Sequence, residues 1–340
     1  MGNRFLKTIE LIIARLKNLK NTMKNICLLI LFWFVIGCKK NNAQTGGNNN
    51  TINTAYTGTG SITQGLGIIT SSSIYSCTGG RITNLGTISS KDGKSWMLPG
   101  ETNFVGGTKL FDLYNECNGK TPSNITLADT SNAPIIVIDE DGEVISGFLY
   151  GDNYFELYVN GKLVGVDPVP YTPFNSCFVK FKAKRPIKYA VKLIDWEENL
   201  GIGSEFNGGN PLYPGDGGFI AKFSDGTVTN SNWKAQTYYI APLSNVNCVT
   251  EQGSNRISSS CTPYPSSAAN SYALHWEIPS NWFSTSYDFK TWPAANIYTT
   301  AEVGPKVSFT NFASQFNNAQ FIWSSNLILD NLVLLRYDGF

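Results

Sequence analysis

Histidine, methionine and charge are all scarce in this chain: one His, three Met and 15% charged residues among 340. The single imidazole, His275, would have to serve any Ser-His-Asp triad or His-containing metal site, and no G-x-S-x-G elbow accompanies it. Its setting, Tyr272-Ala273-Leu274-His275-Trp276-Glu277, reads as a strand in which the ring is hydrogen-bonded rather than catalytic. No CxxC pair exists, which argues against zinc and dithiol redox chemistry. No apolar run reaches the roughly 20 residues that a membrane-spanning helix needs. Beyond residue 37 no long 3.6-residue periodicity appears either, so helices are not the main element. What is abundant is Gly, Ser, Thr, Asn and aromatics, the profile of an exported, strand-rich protein with many turns.

The longest apolar stretch, Ile26 to Ile36, ends in Val35-Ile36-Gly37-Cys38. This resembles the lipobox of bacterial lipoproteins cut by signal peptidase II. The resemblance implies a signal peptide over residues 1–37, an acylated Cys38 as mature N-terminus, and a lipid bilayer as partner. It places the protein in the bacterial cell envelope, on the outer membrane, without deciding between the periplasmic and surface faces. Met1 to Thr22 is basic and amphipathic, and Met23 followed by Lys24 is the more conventional start for such a signal. Removing residues 1–37 takes six basic residues and one acid from totals of 26 and 25, leaving a net charge near −4. That balance argues against a nucleic-acid partner. Residues 38–55 are nearly devoid of apolar side chains and are expected to form a flexible, disordered tether.

Cys27 falls in the signal and Cys38 is the acylation site, which leaves five of the seven cysteines. Cys248 and Cys261 flank a Ser/Asn/Gly-rich loop and are the first expected disulfide, with Cys77 and Cys117 the next. Cys177 lies in an apolar strand pattern and is expected to be a buried small hydrophobe.

Residues 56–133 alternate short apolar stretches with Gly, Ser, Thr and Asn. They read as a β-rich N-terminal region, either a subdomain or strands completing the next unit. Residues 134–340 carry stronger strand signals, among them Phe155–Val159 and Lys162–Gly165 around Asn160-Gly161. An Asn-Gly pair between alternating strands is the strongest short-range hairpin signal, because both residues tolerate the positive φ of a type I′ turn. Further strands are expected at 189–196, 218–223, 234–240, 273–278, 320–323 and 331–336. The class is all-β, a sandwich.

The run Asp152-Asn153-Tyr154-Phe155-Glu156-Leu157-Tyr158-Val159-Asn160-Gly161-Lys162 resembles galactose-binding-domain-like jelly rolls. Ala190–Trp196, the Gly-rich Gly215–Gly218 loop, Asp225-Gly226-Thr227, Trp233-Lys234 and the Trp292-Pro293-Ala294 element continue the likeness. The Trp-Pro-Ala element follows the hairpin here instead of preceding it, which leaves one elaborated sandwich or two over this region. The resemblance implies a galactose-binding-like jelly-roll β-sandwich and no particular activity.

Candidate site residues concentrate in the long segment between Trp196 and Asp216. It combines Glu197, Glu198, Phe206, Tyr213 and Asp216, and loops of such length outside regular structure are commonly functional. Trp282, flanked by Pro279, Ser280 and Asn281, reads as an exposed ring, whereas Trp196, Trp276 and Trp323 read as core. Aromatic faces with neighbouring carboxylates and amides suit sugars. The acids Asp139, Glu140, Asp141 and Glu143 read as a solvated turn without EF-hand spacing. A structural Ca²⁺ somewhere in the protein is compatible with oxygen-rich sandwich loops, but no metal ligands and no other cofactor are identified. The leading expectation is a lipid-anchored, non-catalytic, carbohydrate-binding sandwich. An adhesive surface protein making protein contacts comes second, and a carboxylate-based polysaccharide hydrolase third.

Globomycin, which blocks signal peptidase II, is expected to make an uncleaved precursor accumulate. Unchanged processing of a Cys38→Ala variant would refute the lipobox.

Overall fold

A computed structural model describes residues 55–202, 215–262 and 268–339, with the backbone of 206–207 and 210–211. The expected signal, Cys38 and the expected tether through residue 54 lie outside the described residues.

The Asn160-Gly161 turn sets the architecture. Both residues have positive φ, 48° and 78°, and join Tyr154–Val159 to Lys162–Val166 as an antiparallel hairpin. That hairpin is one edge of a seven-stranded antiparallel sheet. Its order continues through Lys188–Ile194, Asp330–Asp338, Lys234–Leu243 and Tyr272–His275 to Ser61–Gln64. A second seven-stranded sheet runs Asn296–Tyr298, Phe321–Trp323, Gly218–Phe223, Glu143–Asp152, Ser176–Ala183 and Phe111–Tyr114. Ile135–Val137 adds to it in parallel beside Ser176–Ala183. All six strands expected after residue 188 are present, with ends shifted by a few residues.

Strand alternation makes the two sheets a sandwich. Phe155, Leu157, Val191, Leu193, Val333 and Leu335 of the first sheet share one core with Ile145, Leu149, Val179, Phe181, Phe219 and Phe223 of the second. The intervening residues of the first sheet face a second core on the other side, built from Tyr154, Tyr158, Ile194, Leu332 and Leu334 with Trp276, Trp282 and Trp292. The first sheet is therefore buried on both faces, which explains why its strands read as near-continuous apolar runs. Short helices at Thr300–Val303 and Val307–Thr310 accompany the outer aromatics of the second sheet, where Phe309 lies 5.5 Å from Tyr150 and 4.9 Å from Phe321.

The region 56–133 contributes to both sheets through Ser61–Gln64 and Phe111–Tyr114, and also forms its own three-stranded sheet from Ile68–Ser71, Leu85–Ser89 and Ser95–Leu98. Residues beyond 134 supply most of one sandwich, not two. Cys248–Cys261 and Cys77–Cys117 are disulfide-bonded, and Cys177 is a buried free thiol. Two disulfides place the folded body in an oxidising, extracytoplasmic compartment.

The Asp139–Glu143 turn is exposed and charge-paired: Lys184 meets Asp141 at 2.7 Å, Arg185 meets Glu143, and the Lys184 N–H donates to Asp139 at 3.0 Å. Among the described residues no group of three His, Cys, Asp or Glu side chains is placed to hold a metal.

Replacing Cys248 or Cys261 by Ser is expected to lower stability by about 3 kcal/mol, and opening the larger Cys77–Cys117 loop by about 4 kcal/mol. The urea midpoint at constant slope reads both; an unmoved midpoint would show that the loop is held without its disulfide.

Candidate functional site: an aromatic cleft on the first sheet

The outer face of the first sheet carries polar groups in register. Glu156 pairs across to Lys192, and Lys192 to Leu334 on the next strand. Glu156 is fully buried and Lys192 is 7% exposed, so each must be satisfied internally. The Glu156 carboxylate lies 3.4 Å from the Lys192 ammonium. It accepts hydrogen bonds from the Asn103 N–H (2.6 Å), Asn103 Nδ2 (2.9 Å), Tyr154 hydroxyl (3.1 Å) and Tyr158 hydroxyl (2.7 Å). Burial pushes this carboxyl up, but Lys192 and the Asn103 and Tyr158 donors outweigh it and hold the group below its ordinary range. Lys192 also donates to the Glu101 carbonyl at 3.0 Å, tying the 99–104 segment to the sheet.

Two further segments complete a cleft of about 630 Å³ over this face. Ser95–Leu98 pairs with Leu85–Ser89 and brings Trp96 onto His275, with ring centroids 5.2 Å apart and planes within 19°. His275 stacks in turn on Tyr239 at 4.9 Å and is hydrogen-bonded to the Thr63 hydroxyl at 2.8 Å. Burial alone drives its pKa down to about 3, so the ring is neutral. The opposite wall is the segment from Trp276 to Phe283. Arg336 fixes it, donating to the Trp282 carbonyl and, at 3.1 Å, to the Ser284 carbonyl. Phe283 stacks on Tyr158 at 4.8 Å, and Trp282 meets the same ring edge-on at 5.3 Å. Lys94 and Glu277 pair at 2.7 Å beside Trp96. Trp96 and Phe283 are half-buried, while Tyr158, Tyr238, Tyr239 and Trp282 form the buried floor and wall. Volume and lining fall in the range of small-ligand sites, with flat apolar surface and a few fixed polar groups.

Trp282 thus belongs to this cleft, but it is 3% exposed, not the open ring its loop suggested. The chain turns back at Trp282 itself, whose N–H donates to the Pro279 carbonyl at 3.0 Å, and the indole packs edge-on against Phe283. The other expected site residues lie elsewhere. Glu197 is buried and accepts from the Gly215 N–H at 2.6 Å. Asp216 lines a separate cavity of about 430 Å³ with Asp152, Asn153, Asp195, Trp196, Tyr171 and Arg81 among others. Glu198 is half-buried in a turn over Glu198–Gly201. Phe206 is in the short strand Phe206–Asn207, paired with Asn210–Pro211, and Tyr213 lies outside the described residues. Glu197 and Asp216 therefore come together around Gly215, apart from Trp282.

Trp96, Asn103, Lys192 and Glu277 were not anticipated as site residues. A signal existed for Lys192: past the leading Lys188 it is the one charge in the strand Lys188–Ile194, as Glu156 is in Tyr154–Val159, and both strands are otherwise apolar. No protein-family model, curated protein or solved structure matches this chain.

The neutral His275 makes the cleft acid-sensitive. Its folded pKa is depressed below the unfolded value near 6.5, so the native state binds fewer protons, and stability is lost as pH falls from about 6.5 toward 3. The stability difference between the wild type and a His275→Gln variant is expected to narrow by roughly 4 kcal/mol between pH 7 and pH 3. A difference that stays constant would mean that the imidazole is solvated and free to protonate.

Proposed function

We propose that this protein is a lipid-anchored envelope protein whose β-sandwich binds carbohydrate in the cleft over the first sheet, without catalysing a reaction. The observation that carries this reading is the cleft itself: half-buried Trp96 and Phe283 above an aromatic floor, with Asn103, Lys192, Glu101 and Glu277 around them. Sugar rings offer apolar C–H faces to aromatic surface and hydroxyls to fixed amides and charges. The lipobox-like Val35–Cys38 supports attachment to the outer membrane through an acylated Cys38. Two facing, mainly antiparallel sheets and the Asn160-Gly161-Lys162 hairpin support a galactose-binding-like jelly roll.

Two observations favour other readings. Asp152, Asp195 and Asp216 line the smaller cavity, as a carboxylate-based hydrolase would require. Leu66, Ile68 and Ile69 are 54–72% exposed beside or on the Ile68–Ser71 strand, as a protein-contact surface would be.

Glycan-array binding by the full chain in detergent distinguishes these. Binding is expected, and Phe283→Ala is expected to weaken it about ten-fold or more while thermal stability shows an intact fold. No binding on a broad array would refute the proposal. Release of reducing ends, abolished by Asp195→Asn, would move the function to the smaller cavity.

A further inference from the structure

Resting on that carbohydrate-binding reading, we infer that the cleft selects neutral glycan segments and rejects acidic ones. The charges around it are already matched. Lys192 faces Glu156 at 3.4 Å, and Lys94 faces Glu277 at 2.7 Å. Behind the walls, Arg256 sits 4.5 Å from the rings of both Tyr238 and Trp276 and has Glu251 as its electrostatic partner. Arg336, committed to the Trp282 and Ser284 carbonyls, interacts with Asp338. Glu101 is exposed at the rim and adds a further carboxylate. His275 is buried between two rings and contributes no positive charge.

A uronate, sialate or sulfate entering this cleft would lose its hydration and meet no uncommitted cation. To gain one it would have to break the Glu156–Lys192 pair, leaving a buried carboxylate uncompensated, or displace Glu277 from Lys94. It would also face the Glu101 carboxylate at the rim, and like charges placed together oppose binding. A neutral sugar pays neither cost. It keeps the aromatic surface and can hydrogen-bond to outward lone pairs of Glu277 and Glu101, which accept from hydroxyl groups.

The test uses the full chain and isothermal titration. Neutral gluco-, manno-, galacto- and N-acetylglucosamine oligosaccharides are compared with oligogalacturonate, oligoalginate and sialylated or sulfated oligosaccharides of matched length. The tightest neutral ligand is expected to bind at least about ten-fold more tightly than any acidic one. Glu277→Lys combined with Glu101→Lys, both at exposed positions, is expected to shift that ratio toward acidic ligands by about ten-fold or more. Tighter binding of an acidic oligosaccharide to the wild type, or a ratio unmoved by charge reversal, would overturn the inference and leave carbohydrate binding standing. Binding of no oligosaccharide of either kind would remove the carbohydrate reading itself.

Discussion

A sheet buried on both faces cannot leave a charge on either without a partner, and the Glu156–Lys192 pair is where this chain meets that constraint. Removing an ion pair from water costs several kcal/mol per charge unless further hydrogen bonds satisfy both groups. Here the carboxylate takes four hydrogen bonds besides the ion pair, two of them from Asn103. The ammonium takes the Glu101 carbonyl. Both covering residues belong to the segment that follows Ser95–Leu98. Satisfying the pair therefore fixes where that segment crosses the sheet, and its crossing forms one wall of the cleft. Arg336 does the equivalent for the other wall, with its guanidinium on two carbonyls and its carbon 4.5 Å from the Phe289 ring centre.

The same logic recurs at Asp330, fully buried where the strand Asp330–Asp338 begins. Its carboxylate accepts from the hydroxyls of Ser258 (2.6 Å), Ser324 (2.6 Å) and Thr237 (3.1 Å) and from the Asn326 N–H (3.1 Å). Burial still pushes its pKa up to about 6. Ser258 lies within the loop closed by Cys248–Cys261, so this carboxylate pins a disulfide-bonded loop to the central strand of the first sheet. Buried polar groups of this kind cost more when half-satisfied than an apolar core would, and both clusters here are richly satisfied.

Local features were legible in the sequence because their causes are local. Asn160-Gly161 has a local preference for its turn, since both residues tolerate positive φ, and the strand periods after residue 188 survive in the fold. The disulfide partners were legible because few pairings remained once Cys27, Cys38 and Cys177 were set aside. Trp282 was misjudged because polar neighbours say nothing about a loop folded back over a sheet. The segment after Glu197 looked open for the same reason, yet its Leu200 and Ile202 are buried. Leu200 reaches the three-stranded sheet so closely that a Cβ on Gly86 would fall 2.3 Å from its Cδ1. Such anchoring depends on residues more than a hundred positions away. The division of residues 56–133 among three sheets was hidden likewise, since a short strand does not encode which edge it joins.

The rigidity of this arrangement bears directly on the binding proposed for it. Rings that stack on one another before a ligand arrives, as Trp96, His275 and Tyr239 do, lose little further freedom when it docks. Less ordering cost means that modest contacts can yield useful affinity. The buried ion pair adds to this by holding the 99–104 wall through charge-assisted hydrogen bonds, stronger than the neutral ones most loops rely on. Stability and the proposed recognition thus draw on the same side chains. A substitution at Glu156 or Lys192 would disturb the fold and the cleft together, whereas changes at Phe283 and Glu277, on the open side, would alter the lining of the cleft with much less effect on the sheet beneath.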